Sequence, residues 1–143
     1  MQRTSTSPDE LIASLPDGVR DDIAVLDAQL SQVFAGHERV LWEGPMWGGT
    51  EQRIIGYGAY HYEGRSGASG EWFVVGLAVQ KAHLSLYVSG AEDGQSLAKR
   101  YAGRLGKVKV GSANVTFKRL ADLDLSVALE MAERARDLML RPA

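Results

Sequence analysis

Lys81 and His83 stand two residues apart in the segment Val79–Tyr87, VQKAHLSLY. In an extended chain residues i and i+2 share a face, so an ammonium and an imidazole would project side by side. Further along, Lys107, Lys109 and Lys118 flank the small residues Gly111 and Ser112. Such a set suits an anion: the cations supply charge, and backbone N–H groups of a Gly-Ser turn supply directed donors. The candidate ligand-binding residues are therefore Lys81, His83, Ser112 and Lys118, with Trp47 as an apolar wall. The plainer alternative is scattered surface lysines and a histidine satisfied at a strand end.

A second set offers oxygen. Asp17, Asp21 and Asp22 crowd the start of a helical pattern, and Asp9 and Glu10 precede them. Carboxylates suit hard or borderline cations, iron among them, so Asp17, Asp21 and Asp22 are candidate metal ligands. The plainer alternative is a solvated helix start, where negative charge complements the helix dipole. The chain contains no cysteine, which excludes disulfides, zinc–thiolate sites, Fe–S clusters and thiol catalysis. His37, His61 and His83 form no i,i+4 helical pair, and H-E-x-x-H is absent, so a dense transition-metal site is not expected. Any metal site would rest on oxygen and at most one imidazole.

Catalytic motifs fail on inspection. Gly56-Tyr57-Gly58 begins a dinucleotide fingerprint, but its sixth position is His61 and it lies inside a strand pattern. Gly103–Val108 lacks the glycine spacing of a phosphate loop and the Ser/Thr after its lysine. No serine sits in G-x-S-x-G. With no nucleophile–base or paired-acid arrangement, a non-enzymatic protein is expected. Trp42, Trp47, Tyr57, Tyr60, Tyr62 and Trp72 concentrate in one region. They suit either a pocket with polar tips or core and homodimer contacts. Lys99, Arg100 and Arg104 would extend a basic patch. Yet 16 basic against 18 acidic residues give a net charge of −2, and no nucleic-acid partner is expected.

The elements that must hold these residues follow from periodicity. Pro8 opens a short helix with Ser7 as N-cap, and Pro16 closes it. Val19, Ile23, Leu26, Leu30 and Val33 recur at spacings of four and three and form one face of a second helix. Asp17 is its expected N-cap and Gly36 its stop. Ile54–Tyr62, Glu71–Gln80 and Leu84–Val88 read as strands, the last two joined in a hairpin through Lys81-Ala82. Gly64–Gly70 reads as a loop. Gln95–Leu105 reads as a short helix on Leu97, Tyr101 and Leu105. Val108–Phe117 reads as irregular and then extended. Asp124–Leu140 reads as a closing helix with Leu125, Ala128, Ala132, Ala135 and Met139 inward.

Together these predict an α+β fold: N-terminal helices, a mainly antiparallel β-sheet and a C-terminal helix. Residues 1–7 are expected as a flexible tail and 8–141 as a single domain, with 143 residues long enough to bury a core. Met1–Ser7 has no apolar stretch of the secretory kind, and the longest apolar run, Trp72–Val79, is too short to span a bilayer. A cytoplasmic protein with no membrane partner is expected.

The order of features resembles the YdhG-like family. Glu43-Gly44-Pro45-Met46-Trp47 is followed by a hairpin carrying Gln80-Lys81-Ala82-His83-Leu84-Ser85-Leu86-Tyr87. Members of that family show a W-G-M-P-like turn and then a Lys-x-His step before an aliphatic-Tyr strand. Gly106–Ser112, Val115-Thr116-Phe117-Lys118 and the closing helix also resemble it, so the likeness spans roughly residues 10–140. This chain alters the order of Gly, Met and Pro at 43–46 and carries a longer Gly64–Gly70 loop. The family is largely of unknown function, and part of it is described as frataxin-like iron chaperones. The resemblance thus implies a small non-enzymatic binding protein that handles iron. No iron-ligand motif is carried over by it. The other expectations are a small-anion or small-molecule site and a homodimeric interaction domain.

Overall fold

The computed structural model describes residues 1–45, 51–64, 67 and 69–140. Helix α1 spans Pro8–Ala13. Ser7 Oγ accepts the Asp9 N–H at 3.2 Å, and proline occupies the first turn, where its missing N–H costs nothing. Helix α2 spans Asp17–Val33. Its N-cap is Pro16, without a side-chain cap, so Asp17 is the first helical residue and not the expected cap. Ile23, Leu26 and Leu30 are each only 1% exposed, and each contributes about 1.5–3 kcal/mol by burial. Val19 and Val33, at the ends of the stripe, are partly buried. Gly36, at φ 85°, turns the chain after the helix, a geometry that favours glycine.

The strands are β1 (Gln2–Arg3), β2 (Arg39–Pro45), β3 (Glu51–Glu63), β4 (Ser69–Val79) and β5 (Leu84–Val88). A small hairpin, β6 (Ala91–Glu92) and β7 (Gln95–Ser96), leads to α3 (Leu97–Tyr101) and one 3₁₀ turn over Ala102–Arg104. The single helix expected over Gln95–Leu105 is therefore shorter and tightens at its end, although Leu97 and Leu105 are fully buried. Strands β8 (Lys109–Val110) and β9 (Asn114–Phe117) follow, and α4 (Leu125–Met139) closes the chain. Asp124 Oδ1 caps α4 by accepting the Val127 N–H at 3.3 Å.

Seven strands pair in the order β1-β2-β3-β4-β5-β9-β8, every pair antiparallel. The architecture is α+β, with a mainly antiparallel sheet and a C-terminal helix. The β4–β5 hairpin closes where Gln80 N–H donates to His83 O at 2.9 Å, with Lys81-Ala82 at its tip as expected. Its short loop also fixes the register in which Ala78 faces Ser85. Residues 1–7, expected as a tail, instead begin with an edge strand: Gln2 and Arg3 pair with Glu43 and Trp42.

The main core lies between the sheet and its helices, built from α2 and α4 residues packed on Leu41, Ile55, Leu77, Leu86 and Val115. A smaller cluster of Trp42, Ile54, Phe73 and Ala78 forms apart from it and contains no helix residue. There Phe73 is 0% exposed and lies over a paired Gly56 and Gly76. A Cβ on Gly76 would fall 2.5 Å from the Phe73 ring, and one on Gly56 would fall 2.6 Å from the Trp42 indole. Glycine at these two positions lets the rings lie flat on the sheet. No helix among the described residues is long and apolar enough to cross a membrane.

Candidate functional site

One row of registered residues crosses the whole sheet. Arg3 pairs with Trp42, Trp42 with Ile54, Ile54 with Ala78, Ala78 with Ser85, Ser85 with Thr116 and Thr116 with Lys109. Trp42, Ile54 and Ala78 belong to the small cluster. Since Cβ directions are shared along such a row and alternate along each strand, Ser85, Thr116 and Lys109 project from that same face. Ser85 is fully buried and donates to Gln80 Oε1. The Gln80 amide N–H groups donate to Gln52 Oε1 at 3.1 Å and to Tyr87 Oη at 2.9 Å. Both N–H groups and the carbonyl of Gln80 are thus engaged, which locks the side chains around it. A satisfied polar network of this kind rigidifies its surroundings.

Beside this network the sheet ends in positive charge. A cleft of about 640 Å³ is lined by His83, Lys107, Lys109, Thr116 and Lys118, with Asp122 as its single carboxylate. An adjoining cleft of about 800 Å³ is lined by Lys81, His83, Gln52, Gln80, Asn114 and Thr116, together with Glu51 and the ion-paired Arg53. The two share Ala82, His83 and Thr116. The β4–β5 hairpin carries Lys81 and His83 to this end, β9 carries Thr116 and leads into Lys118, and β8 carries Lys109 alongside.

The pattern of ion pairs sets these lysines apart. Every arginine among the described residues is in an ion pair: Arg3, Arg20, Arg39, Arg53, Arg100, Arg104, Arg119, Arg134 and Arg136. None of the five lysines is in one among the described residues. Four of those five, Lys81, Lys107, Lys109 and Lys118, line the two clefts, and all four are exposed. Positive charge compensated inside the fold is carried by arginine, whose fork suits fixed carboxylates. Charge left over is carried by lysine and is concentrated at one place. Chemically the arrangement offers ammonium charges, an imidazole and hydroxyl and amide groups, all suited to holding an anion.

Not every expected residue joins the site. Ser112 is exposed at the β8–β9 turn and lines neither cleft. The Gly111 N–H is taken by Asn114 O at 2.8 Å, so the turn closes on itself and presents no nest of donors there. Trp47 lies outside the described residues. Of the other aromatic candidates, Trp42 packs at 5.8 Å from Trp72 and 5.7 Å from Phe73, and Tyr57 is buried in the main core. Among the described residues, the large apolar side chains left exposed are Val25 and Tyr62.

The carboxylates expected to take iron do not converge. Asp17 Oδ1 is held by Arg20 at 2.6 Å, and Asp21 stands exposed. Asp22 accepts from Arg119 Nε at 2.7 Å and from the Leu120 N–H at 3.0 Å. The Arg119 hydrogen bond holds the Asp22 carboxyl below its ordinary value, aided by Leu120 and opposed by burial. Asp22 therefore ties α2 to the segment after β9 and acts as a structural clamp. No group of three His, Asp or Glu side chains able to hold a metal occurs among the described residues.

A second network had no sequence signal. Arg39 donates to both Asp27 oxygens at 2.9 and 2.8 Å and to Asp9 Oδ1 at 2.8 Å. Tyr57 Oη donates to Asp27 Oδ1 at 2.6 Å. Burial, followed by the adjacent Asp27 charge, pushes the Tyr57 hydroxyl well above its ordinary pKa, so it is a donor at every physiological pH. This group joins α1, α2, β2 and β3 and reads as a structural tie. Its bonded partners lie up to 30 residues apart, beyond the reach of any local pattern. The Gln52–Gln80–Ser85–Tyr87 network was equally invisible, except that Gln80 and Ser85 flank the recognised hairpin.

No family model matches the chain, and no curated protein or solved structure matches it.

Proposed function

We propose that this protein is a non-enzymatic binding module whose ligand is a small anion held at the lysine-lined end of the sheet. The observation that supports it most is the segregation of charge among the described residues: arginines ion-paired within the fold, and four of the five lysines gathered without an ion pair beside His83. A compact group of like charges repels itself, and a bound anion relieves that repulsion. Lys107, Lys109 and Lys118 are the primary anion contacts, His83 and Thr116 supply hydrogen bonds, and Lys81 adds charge from the hairpin tip. Iron handling, the expectation from the YdhG-like resemblance, finds no convergent oxygen set in Asp17, Asp21 and Asp22.

Calorimetric titration with inorganic pyrophosphate tests this reading. The wild type should bind, and affinity should fall several-fold as ionic strength rises from about 0.01 to about 0.15 M, where the Debye length shrinks from about 30 to about 8 Å. Lys107→Ala/Lys109→Ala/Lys118→Ala should abolish the heat while leaving the fold intact by circular dichroism. No heat in the wild type, or unchanged heat in the triple variant, overturns it.

A further inference from the structure

The two joined clefts differ in what they leave unsatisfied. In the lysine cleft it is charge. In the adjoining cleft most polar groups are already committed within the fold. The Gln80 carboxamide is held by Gln52, Tyr87 and Ser85. The Arg53 guanidinium is paired with Glu43, and the Asn114 Oδ1 is turned onto Gly111, where a Cβ would fall 2.2 Å away. Lys81 and Glu51, which are in no ion pair among the described residues, offset one another in sign. The remaining lining is aliphatic: Leu11 of α1, Leu15 just after it, Val79 at the end of β4 and Ala82 at the hairpin tip. Leu11 is 8% exposed, Leu15 and Val79 are half-buried against the main core, and Ala82 is exposed. Leu15 is fixed in place, its N–H donating to Ile12 O at 3.1 Å and its carbonyl accepting from Arg20 at 3.3 Å. Here the edge of the main core opens onto a cleft of about 800 Å³, within the range of about 300–1,000 Å³ usual for small-molecule sites.

Building on the anion-binding reading, we infer that the ligand is an amphipathic anion: an aliphatic chain that ends in a phosphate or a carboxylate. Its charged head lies among Lys107, Lys109 and Lys118. Its chain passes Ala82, His83 and Thr116, which line both clefts, and lies against Leu15 and Val79. An aliphatic chain asks for no hydrogen bonds, so it suits a wall whose polar neighbours are already engaged. A ligand with a second anionic group at that end is not favoured, because the cleft carries no surplus positive charge to meet it.

The test is calorimetry with methyl, butyl, hexyl and octyl phosphate, with octanoate, and with pyrophosphate, each below its micellar concentration. A fully buried methylene is worth about fourfold in affinity, and one covered on a single side about twofold. Octyl phosphate should therefore bind about tenfold or more tighter than butyl phosphate. Octyl phosphate binding tighter than octanoate identifies phosphate as the head, and the reverse order identifies the carboxylate. Leu15→Gln should flatten the dependence on chain length and leave pyrophosphate binding unchanged. Val79→Thr, which keeps the side-chain shape and replaces a methyl group by a hydroxyl, should reduce that dependence in the same direction and perturb the fold less. Equal affinity for butyl and octyl phosphate while pyrophosphate binds overturns this inference and leaves the anion reading standing. A chain-length dependence unaltered in both variants overturns it as well. So does octyl phosphate binding that survives Lys107→Ala/Lys109→Ala/Lys118→Ala. Failure of pyrophosphate and every alkyl anion alike overturns both readings.

Discussion

Asp22 shows how a residue chosen for one chemistry can serve another. Its place in an acidic helix start suggested a metal ligand, yet its carboxylate is committed to Arg119 and the Leu120 N–H. Because the folded-state pKa lies below the ordinary 3.8, the unfolded chain takes up the proton first as pH falls. The stabilisation is complete above the unfolded value and is lost as pH drops through the folded one. Asp22→Asn should therefore be less stable than the wild type at neutral pH, and the gap should close below about pH 4. Urea denaturation at pH 7 and pH 3 measures both ends. A gap that persists undiminished at pH 3 would show that the ion pair is not its source. The partner of Asp22 is 97 positions away, so local sequence marks the aspartate and not its role. Lys81 and His83 were legible for the opposite reason: the hairpin that aims them is local.

At the scale of elements, periodicity and turn chemistry identified α1, α2, α4 and the β4–β5 hairpin within a few residues. What they could not supply was pairing between distant segments. From sequence the turn at Ser112 belongs to the site, because nothing local shows that β9 adds beside β5 with Thr116 against Ser85. That register brings Lys118 to the His83 end of the sheet and leaves Ser112 at the opposite turn. The aromatic run was likewise legible as apolar and not as packed. Its packing depends on glycine at two paired positions in β3 and β4. Gly76→Ala would press a methyl group into Phe73 and Ile54, at 2.5 and 2.7 Å. It should cost about 1–3 kcal/mol, the usual penalty for overfilling a packed core. Thermal denaturation checks this, and a smaller penalty in a Phe73→Leu background would identify the ring as the cause. A neutral Gly76→Ala would mean that the rings do not lie on the sheet as described.

Over the whole molecule, the near balance of 16 basic and 18 acidic residues conceals a division of labour. Arginine–carboxylate pairs tie segments far apart in the chain: Arg3 to Glu38 and Glu71, Arg39 to Asp27, Arg104 to Glu130, Arg134 to Glu92. Most are exposed, and such pairs individually add little stability. Their larger effect here is to neutralise the arginines among the described residues, which leaves unpaired positive charge to the lysines, four of the five at one end of the sheet. The acidic N-terminal third and the basic stretch from Lys99 to Arg119, distinct in sequence, meet in the fold at Asp22 and Arg119. What stays positive is therefore a smaller and better-defined place than the composition suggests.

The central claim is that this place binds an anion, and residue-resolved NMR titration with pyrophosphate tests it most directly. Shifts confined to the amides of 82–84, 107–109 and 116–118, saturating with one binding constant, are the predicted result. An unshifted spectrum, or shifts centred on Arg100 and Arg104 in place of the lysine cleft, would contradict it.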